Sequence, residues 1–217
     1  MREEFRRNLA AAEDTLAGLA ETAAAAIEQA TVALLEADLA AAERSQESNR
    51  ALRQRLTELE STAYDLLALQ APVASDLRVL VTVVRLGANI ERMGSLAAHI
   101  AETAERRHPA VVIPDLLVPV FRQMGEVAQQ MAVDAAAALR SRDTADAARL
   151  EAEDDTVDRL RLELFRQIAG DWPHGAEAAA DAALLGRYYE RFADHAVAIA
   201  DAVLYLVTGV AVEVAAE

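Results

Sequence analysis

The side chains that could bind a ligand or catalyse a reaction are carboxylates and imidazoles, since the 217 residues include 36 Asp and Glu, 4 His and no Cys. Two acidic pairs have four-residue spacing: Asp154 with Asp158, and Glu190 with Asp194. Residues four apart lie about 40° apart around a helix and roughly 6 Å apart along it, so both carboxylates could reach one cation. The lack of cysteine excludes disulfides, thiolate metal sites and a cysteine nucleophile.

Four-residue spacing by itself is weak evidence for a metal site. With 36 acids in 217 positions, roughly six such pairs are expected by chance, and like-charged neighbours on a solvated helix face usually serve solubility. His195, which follows Asp194, could be a ligand or an ordinary helix-surface histidine hydrogen-bonded to a neighbour. From the residues alone, both interpretations remain open.

Composition favours helix almost everywhere. Hydrophobic residues make up 53% of the chain and aromatic residues 4%, with only 8 Gly and 5 Pro, and Ala, Leu, Glu and Arg lose little rotamer freedom in a helix. The formal charge of −15 argues against nucleic acid as a partner, because neutralising phosphates requires an excess of Lys and Arg.

Hydropathy predicts a cytoplasmic protein. The opening MREEFRRNL lacks the apolar core of a signal peptide. The longest apolar stretch, Ala202 to Val212, has about half the roughly 20 residues that a spanning helix requires. We therefore expect membrane association only through partners.

Proline, glycine and acidic residues mark the ends of six predicted helices, each of roughly 25 to 35 residues. The residue before a proline avoids the helical region, and an acid suits a helix start. The predicted fold is all-α, with a three-helix bundle at 1–107, a proline-rich linker at 108–114 and a second three-helix bundle at 115–217. The breaks are Asp38, Ala71-Pro72, His108-Pro109 through Pro114, Asp143 and Gly170 to Gly175.

The two halves resemble each other. Residues 85–102 read RLGANIERMGSLAAHIAE, and residues 184–201 read LLGRYYERFADHAVAIAD. Aligning Glu91 with Glu190 (190 − 91 = 99) also aligns Gly87 with Gly186, and Arg92 with Arg191. Duplication of a three-helix unit explains this register.

These segments resemble the PhoU family. Gln70 to Glu102 (QAPVASDLRVLVTVVRLGANIERMGSLAAHIAE) is similar to the family's first-repeat signature, and Arg187 to Gly209 (RYYERFADHAVAIADAVLYLVTG) is similar to its second. The resemblance implies two pseudo-symmetric bundles, a homodimer, and a negative regulator of phosphate uptake and of the phosphate-starvation response. It also implies docking onto the transporter ATPase PstB and a PhoR-type sensor kinase, and no enzymatic activity.

The family's acidic motifs, written E/DxxxD, bind multinuclear metal clusters in some members. The resemblance therefore implies a site for divalent or ferric ions in the second half. Phe192 should point nearly opposite the acidic pair on its helix, which places that pair on an exposed face. The implied ligands are Asp154, Asp158, Glu190 and Asp194.

In the first half the acidic motif is degenerate. Asn49, Arg53 and Ser95 stand where the family pattern expects mainly acids, while Glu91 is retained. The guanidinium of Arg53 could pair with Glu91 and substitute for a metal ion. We therefore expect one metal-competent site in the second half and a salt-bridged remnant in the first.

Asp76 and Arg78 match the family's DLR and could contact a partner. Equally, they could be a helix-start acid and a surface base. Two other functions remain open: a helical scaffold without a regulatory role, and a carboxylate-bridged di-metal protein. The latter class needs two ExxH pairs in a bundle core, and only Glu105 with His108 has that spacing.

Overall fold

The structure is a computed structural model that describes residues 2–70 and 72–209, without the side chains of 2, 69, 70, 144–148 and 151. Within these residues the secondary structure is helical, and no helix is long and apolar enough to cross a membrane. The helices are α1 (Arg2–Glu36), α2 (Leu39–Gln70), α3 (Ser75–Arg107), α4 (Val118–Ser141), α5 (Thr144–Ala169) and α6 (Gly175–Thr208), with a short 3-10 helix at Asp115–Leu117.

The helix ends follow the local signals. Asp38 Oδ1 accepts hydrogen bonds from the backbone N–H groups of Ala40 (2.8 Å) and Ala41 (3.1 Å), which would otherwise lack partners in the first turn of α2. Arg142, with a φ of 55°, ends α4 in the left-handed region. The break predicted at Ala71-Pro72 falls between α2 and α3, although Ala71 itself lies outside the described residues.

The six helices form two pseudo-symmetric three-helix bundles. Helices α1, α2 and α3 pack against one another, as do α4, α5 and α6. The bundles meet side by side, with α1 against α4 and α3 against α6, and the buried apolar side chains form one continuous core. Each of α1, α3, α4 and α6 therefore contacts helices of both bundles. The exact unit boundaries, 1–107 and 115–217, stay a prediction.

The duplicated glycines have equivalent places. A Cβ at Gly87 of α3 would lie 3.4 Å from Leu56 of α2, and a Cβ at Gly186 of α6 would lie 2.5 Å from Leu164 of α5. In both bundles the glycine of the third helix faces a leucine of the second, but only at Gly186 would a methyl group overlap that leucine. This agrees with the register that aligned Gly87 with Gly186.

A buried polar contact joins the bundles at their centre. Thr31 Oγ1 of α1 lies 2.8 Å from the hydroxyl oxygen of Tyr189 of α6, a side chain with no exposed surface. A Cβ at Gly125 of α4 would lie 2.5 Å from both Cγ2 and Oγ1 of Thr31. Glycine at position 125 is thus required for α1 and α4 to pack at this distance.

Ion pairs join the bundles at the ends of the molecule. Arg107 of α3 pairs with Glu177 and Asp181 of α6, with Nη2 2.6 Å from each carboxylate. At the other end, Arg140 of α4 donates to Glu21 of α1, with Nη2 3.0 Å from Oε2. These contacts tie helices of one bundle to helices of the other.

Candidate functional site

The second-half carboxylates lie close enough to influence one another. Asp154 is half-buried on α5, and its pKa is raised to about 6, first by burial and then by the negative charges of Asp194, Asp158, Asp155 and Glu190. The pKa of Asp194 is also raised, by partial desolvation and by Glu190, although Arg187 and Arg191 oppose the rise. Helices α5 and α6 thus bring the four predicted residues into one electrostatic cluster.

The predicted exposure of Glu190 is wrong. Its side chain is buried, with 7% of the residue exposed, whereas Asp194 is exposed as expected. Phe192 is indeed in the core, but α6 packs against α3, α4 and α5 and so is covered on more than one side. The position opposite a core residue is therefore not necessarily a solvent position.

Two arginines neutralise Glu190. Arg161 of α5 places Nη1 3.1 Å from Oε1, and Arg187, three residues earlier on α6, donates from Nη1 to Oε2. Burial of a carboxylate requires such pairing, because an unpaired charge out of water is costly. Sequence reasoning missed both arginines. Arg187 could have been found from its three-residue spacing to Glu190, whereas no local spacing links Arg161 to Glu190, because the two residues lie on different helices.

Arg161 is also held by its surroundings. Its guanidinium carbon lies 5.3 Å from the ring centroid of Phe165, one turn further along α5. The Nε atom is buried and has no hydrogen-bond partner among the described residues. The guanidinium is thus positioned by Glu190 and by an aromatic face.

The remaining carboxylates fit a hard cation in their chemistry. Asp154, Asp158 and Asp194 supply oxygen donors whose mutual repulsion a bound cation would relieve. Glu190 does not fit that role, since both of its oxygens already bind guanidinium groups. Within the described residues, no three acidic or histidine side chains are arranged closely enough to hold a metal ion as they stand.

The first half contains the predicted ion pair. Arg53 Nε of α2 lies 3.1 Å from Glu91 Oε1 of α3, so the expected pairing of these residues is confirmed. Ser95 donates its hydroxyl to the backbone carbonyl of Glu91 at 3.0 Å. Asn49 packs on Gly94, where a Cβ would lie 2.8 Å from its Oδ1.

The acidic sites of the two halves therefore differ less in their ion pairing than predicted. Glu91 and Glu190, which occupy equivalent positions in the duplication, both pair with an arginine from the preceding helix. The pair in the second half is the more buried one, since the Glu190 side chain is 9% exposed and that of Glu91 is 45% exposed. What distinguishes the second half is its additional aspartates.

The two residues predicted as partner contacts lie at the start of α3. Asp76 is in the first turn of α3, where its negative charge interacts favourably with the exposed N–H groups at the helix start. A Cβ at Gly209, the left-handed residue that ends α6, would overlap Nη1 of Arg78, so the guanidinium lies beside a helix C-terminus. Both positions are consistent with a structural role, and the partner contact stays a prediction.

The di-metal alternative finds no support at its one ExxH pair. Glu105 Oε2 accepts a hydrogen bond from Gln46 Nε2 at 2.8 Å, whereas His108 Nδ1 lies 3.1 Å from the carbonyl oxygen of Ala37. These two side chains are engaged with different partners. His195 makes a hydrogen bond rather than standing free, with Nδ1 3.1 Å from Asn89 Oδ1.

Comparison with known proteins agrees with this architecture. The PhoU domain matches residues 16–104 and 121–203, one match in each bundle. The chain is 42% identical over 210 residues to "Phosphate-specific transport system accessory protein PhoU homolog 1" of Mycobacterium leprae, covering 96% of this chain and 95% of the relative. It is also 42% identical over 173 residues to PhoU homolog 2 of Mycobacterium tuberculosis, covering 79% of this chain and 81% of that protein.

Solved structures give the same result. The crystal structure of the phosphate transport system regulatory protein PhoU from Streptococcus pneumoniae superposes with a TM-score of 0.83 at 25% identity, covering 97% of this chain and 100% of that one. PhoU from Pseudomonas aeruginosa superposes with a TM-score of 0.78 at 28% identity, covering 96% and 97%. Both the sequence and the fold therefore place this chain in the PhoU family.

Proposed function

We propose that this protein is a negative regulator of phosphate uptake and of the phosphate-starvation response. It acts as an adaptor between the phosphate ABC transporter, through a PstB-type ATPase, and a PhoR-type sensor kinase. The observation that carries the proposal is the PhoU match in both halves, with near-full-length relatives named as phosphate transport accessory proteins. The adaptor acts in the cytoplasm as a homodimer, and its partners recruit it to the inner face of the membrane.

The character of the molecule supports an adaptor. Several of its charged side chains form ion pairs that join helices, such as the pairs of Arg107 with Asp181 and Arg140 with Glu21. The helices are 24 to 35 residues long and offer extended faces to a protein partner. An adaptor needs such surfaces and no nucleophile.

A metal-dependent contact is the second part of the proposal. Asp154, Asp158 and Asp194 would hold a divalent or ferric ion. Glu190 would stay paired with Arg161 and would not be a ligand. The mutual repulsion of these aspartates supports this assignment. In the first half the Arg53–Glu91 ion pair would take the place of a metal ion.

The test is a pull-down of the purified protein with the isolated kinase domain and with the ATPase, with and without chelator. Asp154→Asn/Asp158→Asn and Asp194→Asn remove charge from exposed or half-buried positions without creating a cavity. Glu190→Ala is avoided, since it would leave Arg161 unpaired in a buried site. The matched control is Glu91→Gln in the first half, and Asp76→Asn tests the predicted partner contact.

Each outcome decides one part of the proposal. Capture of both partners supports the adaptor role. If capture is then lost in chelator and in the aspartate variants, the second-half cluster is the regulatory contact. Capture that survives both treatments keeps the adaptor and rejects metal dependence. Failure to capture either partner, with the fold intact by circular dichroism, rejects the adaptor in favour of a helical scaffold. Light scattering of the purified protein tests the homodimer.

A further inference from the structure

The outer side of the contact between α3 and α6 contains a second cluster of arginine and histidine side chains. The two helices run antiparallel, and two contacts across the seam fix their register. His195 Nδ1 lies 3.1 Å from Asn89 Oδ1, and the ring of His99 lies 5.6 Å from that of Tyr188, measured between centroids. We call the stretch between these contacts the α3–α6 window.

Two arginines lie within the window. Arg92 is three residues after Asn89 and seven before His99, so it shares their helix face. Arg191 is three residues after Tyr188 and four before His195, so it shares the face that meets α3. Both side chains are exposed, and the duplication makes them equivalent positions. The pseudo-symmetry of the fold thus places one guanidinium on each side of the same seam.

Neither arginine has an ion-pair partner within 4.0 Å among the described residues. The glutamate that precedes each arginine pairs with other residues: Glu91 with Arg53, and Glu190 with Arg161 and Arg187. Asp194 also lies near Arg191, and among the described residues it offsets part of that charge without forming an ion pair. The window therefore keeps a local excess of positive charge in a chain of net charge −15.

The histidine of the window does not add to this charge. Burial first, and then the positive charges of Arg191 and Arg92, lower the pKa of His195 to about 4. The imidazole is therefore neutral at physiological pH and serves as a hydrogen-bonding group beside the two guanidinium groups. That both arginines influence His195 agrees with their placement on either side of the window.

We propose that Arg92 and Arg191 form a binding site for a phosphoryl oxyanion at the α3–α6 window. Two guanidinium groups match the charge and the several acceptor oxygens of a phosphate dianion better than those of a single carboxylate. A small dianion also meets less repulsion from an acidic protein than a large acidic surface would. The phosphoryl group could be free inorganic phosphate or the group on a phosphorylated partner.

The test is a titration followed by NMR of the arginine Nε–H and histidine resonances, at constant ionic strength and in chelator. The probes are inorganic phosphate in one arm and a phosphoserine peptide in the other, with chloride as the background anion. We expect saturable shifts at Arg92, Arg191 and His195. Arg92→Gln or Arg191→Gln should each weaken binding about tenfold, because a charge-assisted hydrogen bond is lost. Arg55→Gln, an exposed arginine on α2, is the matched control and should change nothing.

The two arms separate the sources of the phosphoryl group. Saturation with inorganic phosphate supports a free anion, and saturation with the peptide alone supports a group carried by a partner. Shifts that fail to saturate in both arms, or that persist unchanged in the double arginine variant, overturn the proposal. The adaptor proposal is judged separately, since capture of transporter or kinase can succeed or fail whatever this titration shows.

Discussion

Replacing Asp154 with asparagine should stabilise the metal-free protein at neutral pH and leave its stability in acid nearly unchanged. Asp154 is half-buried on α5, and its pKa rises from 3.8 to about 6, through burial first and then through Asp194, Asp158, Asp155 and Glu190. A carboxyl group whose pKa is higher in the folded state is less stable there in its ionised form. The cost is absent when the group is protonated in both states, develops between about pH 4 and pH 6, and is complete above pH 6.

The size of the effect follows from the size of the shift. A rise from 3.8 to about 6 corresponds to at most about 3 kcal/mol, since one pKa unit is about 1.4 kcal/mol. Partial exposure and salt screening reduce this, and asparagine must still be partly desolvated, so we expect a gain of about 1 to 2 kcal/mol. For a chain of this length, that gain raises Tm by about 4 °C.

The assay is urea unfolding followed by far-UV circular dichroism, in chelator, at about pH 7.5 and about pH 4. The free energy of unfolding of Asp154→Asn should exceed that of the wild type at the higher pH and match it at the lower. Asp65→Asn removes an exposed carboxylate from α2 and is the control for the overall loss of negative charge. Equal changes in both variants would attribute the gain to net charge.

A different result would refute the reasoning about Asp154. If Asp154→Asn destabilises the protein at neutral pH, the ionised carboxylate makes a favourable contact that outweighs burial and repulsion. If the gain is the same at both pH values, it arises from packing or propensity, because at the lower pH the folded-state carboxyl is protonated and most of the ionisation cost is absent.

Three further predictions test the packing and the α3–α6 window. Gly125→Ala should destabilise the fold by about 2 kcal/mol despite the better helix propensity of alanine, because the new methyl group overlaps the stiff side chain of Thr31. In calorimetry, adding Thr31→Ala should restore stability to the Gly125→Ala variant. Ala37→Gly should stabilise it by up to about 1 kcal/mol, measured by urea unfolding, since Ala37 has a φ of 52° between α1 and α2. The NMR titration of His195 should have a midpoint near pH 4, and Arg191→Gln should raise that midpoint. The free energy of unfolding should fall as the pH drops from about 6.5 to about 4, because the unfolded state takes up the proton first.

Local signals predicted the helices well. Asp38 begins α2 because its carboxylate binds the first N–H groups of that helix, a contact that involves only neighbouring residues. The proline-rich stretch separates α3 from α4, and Gly175 begins α6, as the breaks indicated. Helix formation depends mainly on nearest neighbours along the chain, so these features can be found without knowledge of the packing.

The burial of the candidate site was harder to predict. The helical period places Glu190 opposite Phe192, which indicated an exposed acid, yet Glu190 is buried. A helical period identifies the face towards one neighbour, whereas α6 has neighbours in both bundles. By contrast, Arg53 and Glu91 were correctly expected to pair, because the family resemblance placed them opposite each other.

The sequence by itself determined the all-α class, the six helices, the internal duplication and the PhoU family, since each depends on propensity, spacing or similarity along the chain. Only the tertiary structure decided which charges are paired and buried. The ion pair of Arg161 with Glu190 joins two helices, and the hydrogen bond of His195 with Asn89 joins the two bundles. Such contacts depend on how helices dock, and docking is set by the combined packing of all six rather than by any one segment.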